Sequence, residues 1–148
     1  MNWYEWIADS LNNKSILIIG EDTKSAVSFV SPFGASIIKT SKISSLSEIS
    51  DYSFDFVICL DSEYSSSIID EGKRIAKNRF MCGYKNNSTI YTDLLFSFDE
   101  LWAGSKDGSN RNLIMEKKFD GYWRHKSGEW LDSFPVVDEA YLVFSLYL

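Results

Sequence analysis

Ser15-Ile-Leu-Ile-Ile-Gly-Glu-Asp-Thr-Lys-Ser-Ala26 points to the fold class of this chain. Ile16 to Ile19 are consecutive apolar residues with no polar alternation. That is the pattern of a strand buried on both faces. Gly20 then turns the chain, and Asp22 or Thr23 is placed to cap a helix over Lys24 to Ser31. Pro32-Phe-Gly34 ends that helix. Strand, turn and helix in this order open an α/β domain, and ligands of such domains gather at the carboxyl ends of the strands.

The alternation continues downstream. Ala35 to Thr40 reads as a second strand. Ser41 to Ser53 is serine-rich, with room for one or two helical turns. Phe54-Asp-Phe-Val-Ile-Cys-Leu60 is a strong strand that ends at Asp61-Ser62. Ser62 caps a helix from Glu63 to about Lys77, with Ile68, Ile69, Gly72, Ile75 and Ala76 on its inner face. Lys73, Arg74 and Lys77 suit its carboxyl end. Arg79 to Tyr84 is a further strand. Thr89 to Phe96 fits strand or helix, and Asp99 to Ala103 reads as a short helix closed by Gly104. Asn112 to Lys117 is a strand. Tyr122 to His125 and Glu129 to Leu131 flank Lys126-Ser-Gly128 as a hairpin. Tyr141 to Tyr147 is the last strand. At the amino end, Trp3, Ile7 and Leu11 recur at four-residue spacing, so residues 1–12 hold an aromatic helix that packs on the domain. The expected architecture is one α/β domain over residues 1–148. It has three layers, a mostly parallel central sheet with helices on both faces, and an antiparallel carboxyl-terminal edge.

Composition narrows the function classes. The chain has 148 residues, enough for one domain with a real core. It is 45% hydrophobic and 16% aromatic, the make-up of a folded globular protein. A net charge of −6, with no basic stripe, argues against a nucleic-acid partner. No apolar run approaches the roughly 20 residues that cross a bilayer, and the start lacks the features of a signal peptide. The two cysteines, Cys59 and Cys82, sit in apolar strands and read as buried free thiols, which implies a cytoplasmic setting. With a single histidine, His125, a metal site is not expected.

Two of these strands carry a family resemblance. Ser15-Ile-Leu-Ile-Ile-Gly20 resembles the first strand and first glycine of class I S-adenosylmethionine-dependent methyltransferases. Phe54-Asp-Phe-Val-Ile-Cys-Leu-Asp61 is similar to their central strand. Asn112–Lys117 and Tyr141–Tyr147 look like the antiparallel pair that closes such Rossmann-like sheets. The resemblance spans roughly Ser15 to Leu148 and implies a trimmed version of that fold. It also implies a cofactor site at Gly20, Glu21, Asp22 and Asp61, with S-adenosylmethionine as the cofactor and Tyr64 or His125 near a substrate. The chain departs from the family at several positions. Glu21, Asp22, Thr23 and Lys24 stand where further glycines let the backbone approach the ligand. Lys39-Thr40 stands where the family has an acidic residue for the ribose hydroxyls. One strand–helix unit is missing before Phe54, and no Asn-Pro-Pro-Tyr signature follows the central strand.

The remaining candidates are aromatic. Trp3 and Trp6, and Trp123, His125 and Trp130, are residue types enriched at interface centres, and also ordinary core residues. The expected function is therefore a non-catalytic protein-binding module on a degenerate methyltransferase-like fold. An inhibitor or immunity-type protein and an accessory subunit are both examples, with a protein partner or self-association and no cofactor. The alternative is an atypical S-adenosylmethionine-dependent methyltransferase, or another enzyme using an adenosyl ligand.

Overall fold

A computed structural model describes residues 3, 10–21, 23–60, 66–86, 97–105, 110–117, 123–125 and 141–148. The fold grows outward from β1 (Ser15–Ile19), whose four apolar residues are all buried. They are buried on both faces because β1 has a parallel neighbour on each side. β2 (Ile37–Ser41) pairs from Ser15↔Ile37 to Ile19↔Ser41, and β3 (Phe54–Cys59) pairs from Ile16↔Phe56 to Ile18↔Ile58. β4 (Ala76–Lys85) runs parallel to β3. β8 (Tyr141–Tyr147) then enters antiparallel beside β4, followed by β5 (Glu100–Gly104), β6 (Asn112–Lys117) and β7 (Trp123–His125), all antiparallel. The sheet order is β2-β1-β3-β4-β8-β5-β6-β7. The expected Rossmann-like class is thus observed: a parallel half, and an antiparallel half at the carboxyl end.

Period-two alternation sorts the apolar side chains into two cores. Ile16, Ile18, Phe56, Ile58 and Met81 point to one face, where Trp3, Leu11 and Val30 cover them. Val30 closes α1 (Lys24–Val30), so this layer belongs to α1 and the amino-terminal segment. Leu17, Ile19, Val57, Cys59 and Phe80 point to the other face, under Leu46, Ile68, Ile69 and Ile75. Those residues come from a 3-10 helix (Ile43–Glu48) and from α2 (Ser66–Ile75). Gly72 lets α2 lie directly on Phe80, because a Cβ there would overlap the phenyl ring.

Several expectations need correction. Asp99–Ala103 does not form a helix. Glu100–Gly104 is strand β5, held between β8 and β6, and its buried Leu101 and Ala103 follow strand alternation. Asn112–Lys117 and Tyr141–Tyr147 are both strands but not partners, since β5 lies between them. The helix expected to reach Lys77 ends at Ile75, and β4 begins at once at Ala76, because Ala76 already pairs with Phe54. α1 ends at Val30, one residue early, and its N-cap Thr23 makes no side-chain capping bond. A 3-10 turn (Ser31–Phe33) follows, and Gly34 stops it at φ 81°, a conformation suited to glycine. Trp123–His125 pairs with β6. Its expected hairpin partner 129–131, the ambiguous stretch 89–96 and most of the amino-terminal helix lie outside the described residues.

Candidate functional site

Strand order reverses at β1. The chain leaves β1 through α1 on one face to reach β2, and leaves β3 through α2 on the other face to reach β4. The carboxyl ends of β1 and β3 therefore flank a topological switch point, where open α/β sheets place their ligands. Gly20 and Glu21 lie at this end of β1, and Leu60 follows β3. Asp22 and Asp61 belong to the same two chain ends but lie outside the described residues.

The backbone at this place is already engaged. The Gly20 N–H donates to the Ser41 carbonyl at 3.0 Å, which extends the β1–β2 ladder by one step. Gly20 does not have a positive φ. A Cβ on it would meet Thr23 Cγ2 at an ordinary 3.5 Å, so neither conformation nor space demands a glycine here. Glu21 is exposed, and Lys39 and Thr40, near the end of β2, are exposed as well.

Deeper under the same end of the sheet lies a buried polar cluster. Cys59 and Cys82 are direct neighbours across β3 and β4, and both are buried thiols outside any disulfide, as expected. Cys82 Sγ and Tyr84 Oη are 2.7 Å apart. Burial above all, with Cys59 alongside, pushes the Cys82 thiol well up, and burial likewise pushes the Tyr84 phenol up. Both groups stay protonated at neutral pH, so neither offers a thiolate or phenolate nucleophile.

A groove of about 570 Å³ opens on the α2 face, along β2 and beside the amino ends of β1 and β3. Leu17, Ile37, Ile49 and Phe54 give it apolar surface, serine hydroxyls ring it, and Lys39 and Glu48 stand at its rim. Two clusters build its frame. At the amino ends of β1 and β3, the Asp55 carboxylate accepts from the Ser15 N–H at 2.9 Å and the Ser15 hydroxyl at 3.0 Å. The Ser15 hydroxyl in turn accepts from the Asp55 N–H at 2.9 Å. The Ser15 N–H, ahead of the hydroxyl and of nearby Lys77 and Lys14, holds the Asp55 carboxyl below its ordinary range. On the outer wall, Arg74 of α2 donates to the Ile49 carbonyl at 2.6 Å and the Leu46 carbonyl at 2.9 Å. It also pairs with Asp51 at 2.7 Å and Glu71 at 2.6 Å. Glu71 first and Asp51 second raise the guanidinium above its ordinary value. The sequence pattern marks neither Ser15 nor Asp55, and it places Arg74 only near a helix end. The available signal was Asp55, a lone carboxylate inside an otherwise apolar strand.

The two aromatic candidates whose side chains are described, Trp3 and Trp123, pack on opposite cores. Trp3 is 3% exposed, packs against Tyr141 at a 6.2 Å ring separation, and donates from Nε1 to the Ser105 carbonyl. It belongs to the core on the α1 face. Trp123 is half-buried against the opposite core, with Lys117 Nζ 5.3 Å from its ring centre. His125 pairs with Met115 on the terminal strand β7. Trp6, Trp130 and the side chain of His125 lie outside the described residues. Among the described residues, no group of three histidine, cysteine or acidic side chains is placed to hold a metal ion. No described helix is long and apolar enough to cross a membrane.

No protein-family model matches the chain, and no curated protein matches it. Among solved structures it is similar to an S-adenosylmethionine-dependent methyltransferase from Mesorhizobium loti, at 12% identity over 98% of each chain and a TM-score of 0.47.

Proposed function

We propose that this chain is a non-catalytic protein-binding module on a Rossmann-like sheet, of the inhibitor, immunity or accessory-subunit kind. The observation that carries this reading is the engaged backbone at the end of β1, where the Gly20 N–H is taken by the Ser41 carbonyl. An adenosyl ligand at a switch point draws on free backbone N–H groups and close approach to glycine. Here the first N–H is spent inside the sheet, and Lys39 and Thr40 stand where a ribose would need an acid. The acidic balance of the chain, net −6, suits a basic partner surface. Cross-linking and co-purification from the native source test this reading. A stoichiometric protein partner is expected, and a partner-free monomer that turns over a substrate would sink it.

One observation favours a second reading, an atypical S-adenosylmethionine-dependent methyltransferase. The strand order reverses at Gly20, and that is where such folds bind ligands. In this reading Gly20, Glu21, Asp22 and Asp61 line the cofactor site. Thermal shift with S-adenosylmethionine separates the two, since a ligand at 100 times its Kd stabilises the native state by about 2.7 kcal/mol.

A further inference from the structure

Among the described residues, the outer edge of β2 has no neighbouring strand. Ser41 turns its carbonyl to Gly20 and so directs its backbone toward β1. Alternation aims Lys39 and Ile37 the same way and leaves the N–H and C=O of Ile38 and Thr40 pointing outward. β2 ends the sheet, and among the described residues no strand lies beyond it. The 3-10 helix Ile43–Glu48 takes up the connection to β3, so no further strand–helix unit is inserted here. An unpaired edge of this kind is a template for one more strand.

The surroundings of the edge say what that strand carries. Ile37, Lys39 and Ser41 border the 570 Å³ groove, so a strand laid along β2 lowers alternate side chains into it. One of these positions meets Ile37, which is 50% exposed, together with Ile49 and Phe54. A neighbouring position on the same face meets Lys39. Lys39 on the strand and Lys42 just after it are exposed, and Glu48 is the acidic residue of the groove rim, so the charges on the strand edge where a paired segment would lie are basic, on a chain of net charge −6. A second copy fits poorly. Two-fold antiparallel pairing centred on β2 sets Lys39 against Lys39, and like charges directly opposite are destabilising.

We propose that the β2 edge and its groove take an extended segment of another protein by strand addition. The segment places an apolar side chain beside Ile37 and a carboxylate beside Lys39. The proposal rests on the protein-binding reading above and gives that reading a place on the molecule.

The test uses two fluorescein-labelled ten-residue peptides of alternating valine and threonine, with one central residue either glutamate or lysine. Binding to the full chain is followed by anisotropy. The glutamate peptide is expected to bind about five- to tenfold tighter than the lysine peptide, and Lys39→Glu to invert that preference. Thr40→Pro removes an outward N–H at an exposed edge position and is expected to weaken both peptides with an unchanged Tm. Absence of binding by either peptide at millimolar concentration overturns the proposal, as does a preference that Lys39→Glu leaves unchanged. A dimer by light scattering that Thr40→Pro dissolves also overturns it, in favour of a second copy. Failure here is distinguishable from failure of the broader reading. A cross-linked partner retained by both variants removes this site and leaves the protein-binding function standing. Saturable S-adenosylmethionine binding with turnover removes that function whatever the peptides do.

Discussion

Replacing Arg74 by alanine is expected to loosen the 3-10 wall of the groove while leaving the sheet intact. The guanidinium holds four partners: the carbonyls of Leu46 and Ile49, and the carboxylates of Asp51 and Glu71. Hydrogen bonds from a charged donor are worth roughly 1.5–3 kcal/mol when well buried. The Arg74 side chain is 28% exposed, so each carbonyl bond is set nearer 1 kcal/mol. Asp51 is 66% exposed, so its pair adds little. The Glu71 pair, three residues away on the same helix, adds about 0.3–0.5 kcal/mol. The expected loss is about 2–3 kcal/mol, or a Tm drop of roughly 4–12 °C for a domain of this size. Urea unfolding measures the loss. Amide exchange at Ser45 and Ile49, whose N–H groups bond to Lys42 and Leu46, reports where it falls. Arg74→Lys keeps the charge but not the fork, and is expected to recover less than half. A loss under about 0.5 kcal/mol with unchanged exchange at both amides would show that Arg74 does not hold this wall.

Three further outcomes follow from single contacts. Asp55 has a lowered pKa in the folded chain, so its ionised form stabilises above the unfolded value near 3.8 and that stabilisation fades as pH falls through the folded pKa. Asp55→Asn is therefore expected to destabilise by about 1 kcal/mol at pH 7, with the gap to the parent closing below about pH 4; a gap constant down to pH 3 contradicts this. Gly72→Ala improves helix propensity yet forces a methyl into the Phe80 ring, so a net loss of about 1–3 kcal/mol is expected, and a raised Tm would contradict the packing. Cys59 and Cys82 are buried, so neither is expected to react with Ellman's reagent in the native state and both in guanidinium; rapid native labelling would show an accessible thiol.

The parallel half of the sheet was legible because burial on both faces removes polar alternation. Ile16–Ile19 and Phe56–Leu60 are unbroken apolar runs for that reason. β5 was not legible. Asp99-Glu-Leu-Trp-Ala is short and has no β-branched residue, and only β8 and β6 on either side hold it extended. The place of β8 was hidden as well. It pairs with β4 across a long sequence separation, and local pattern carries no information on that. The place of Gly20 and Glu21 at the carboxyl end of β1 was legible because they directly follow that apolar run. The groove was missed because Ser15, Ile37, Lys39, Ile49 and Phe54 come from separated segments and share no motif. Trp3 illustrates the limit of residue type: the same tryptophan that suits an interface is a core residue here.

The proposed function requires the carboxyl end of β1 to be closed to an adenosyl ligand. Its most direct test is a calorimetric titration of the intact chain with S-adenosylmethionine and S-adenosylhomocysteine, with the Gly20 and Ser41 amides followed by NMR. No saturable heat at millimolar ligand and no shift of either amide are expected. Saturable binding with a displaced Gly20 resonance would contradict that closure, because the ligand would then have taken the N–H that Ser41 now holds.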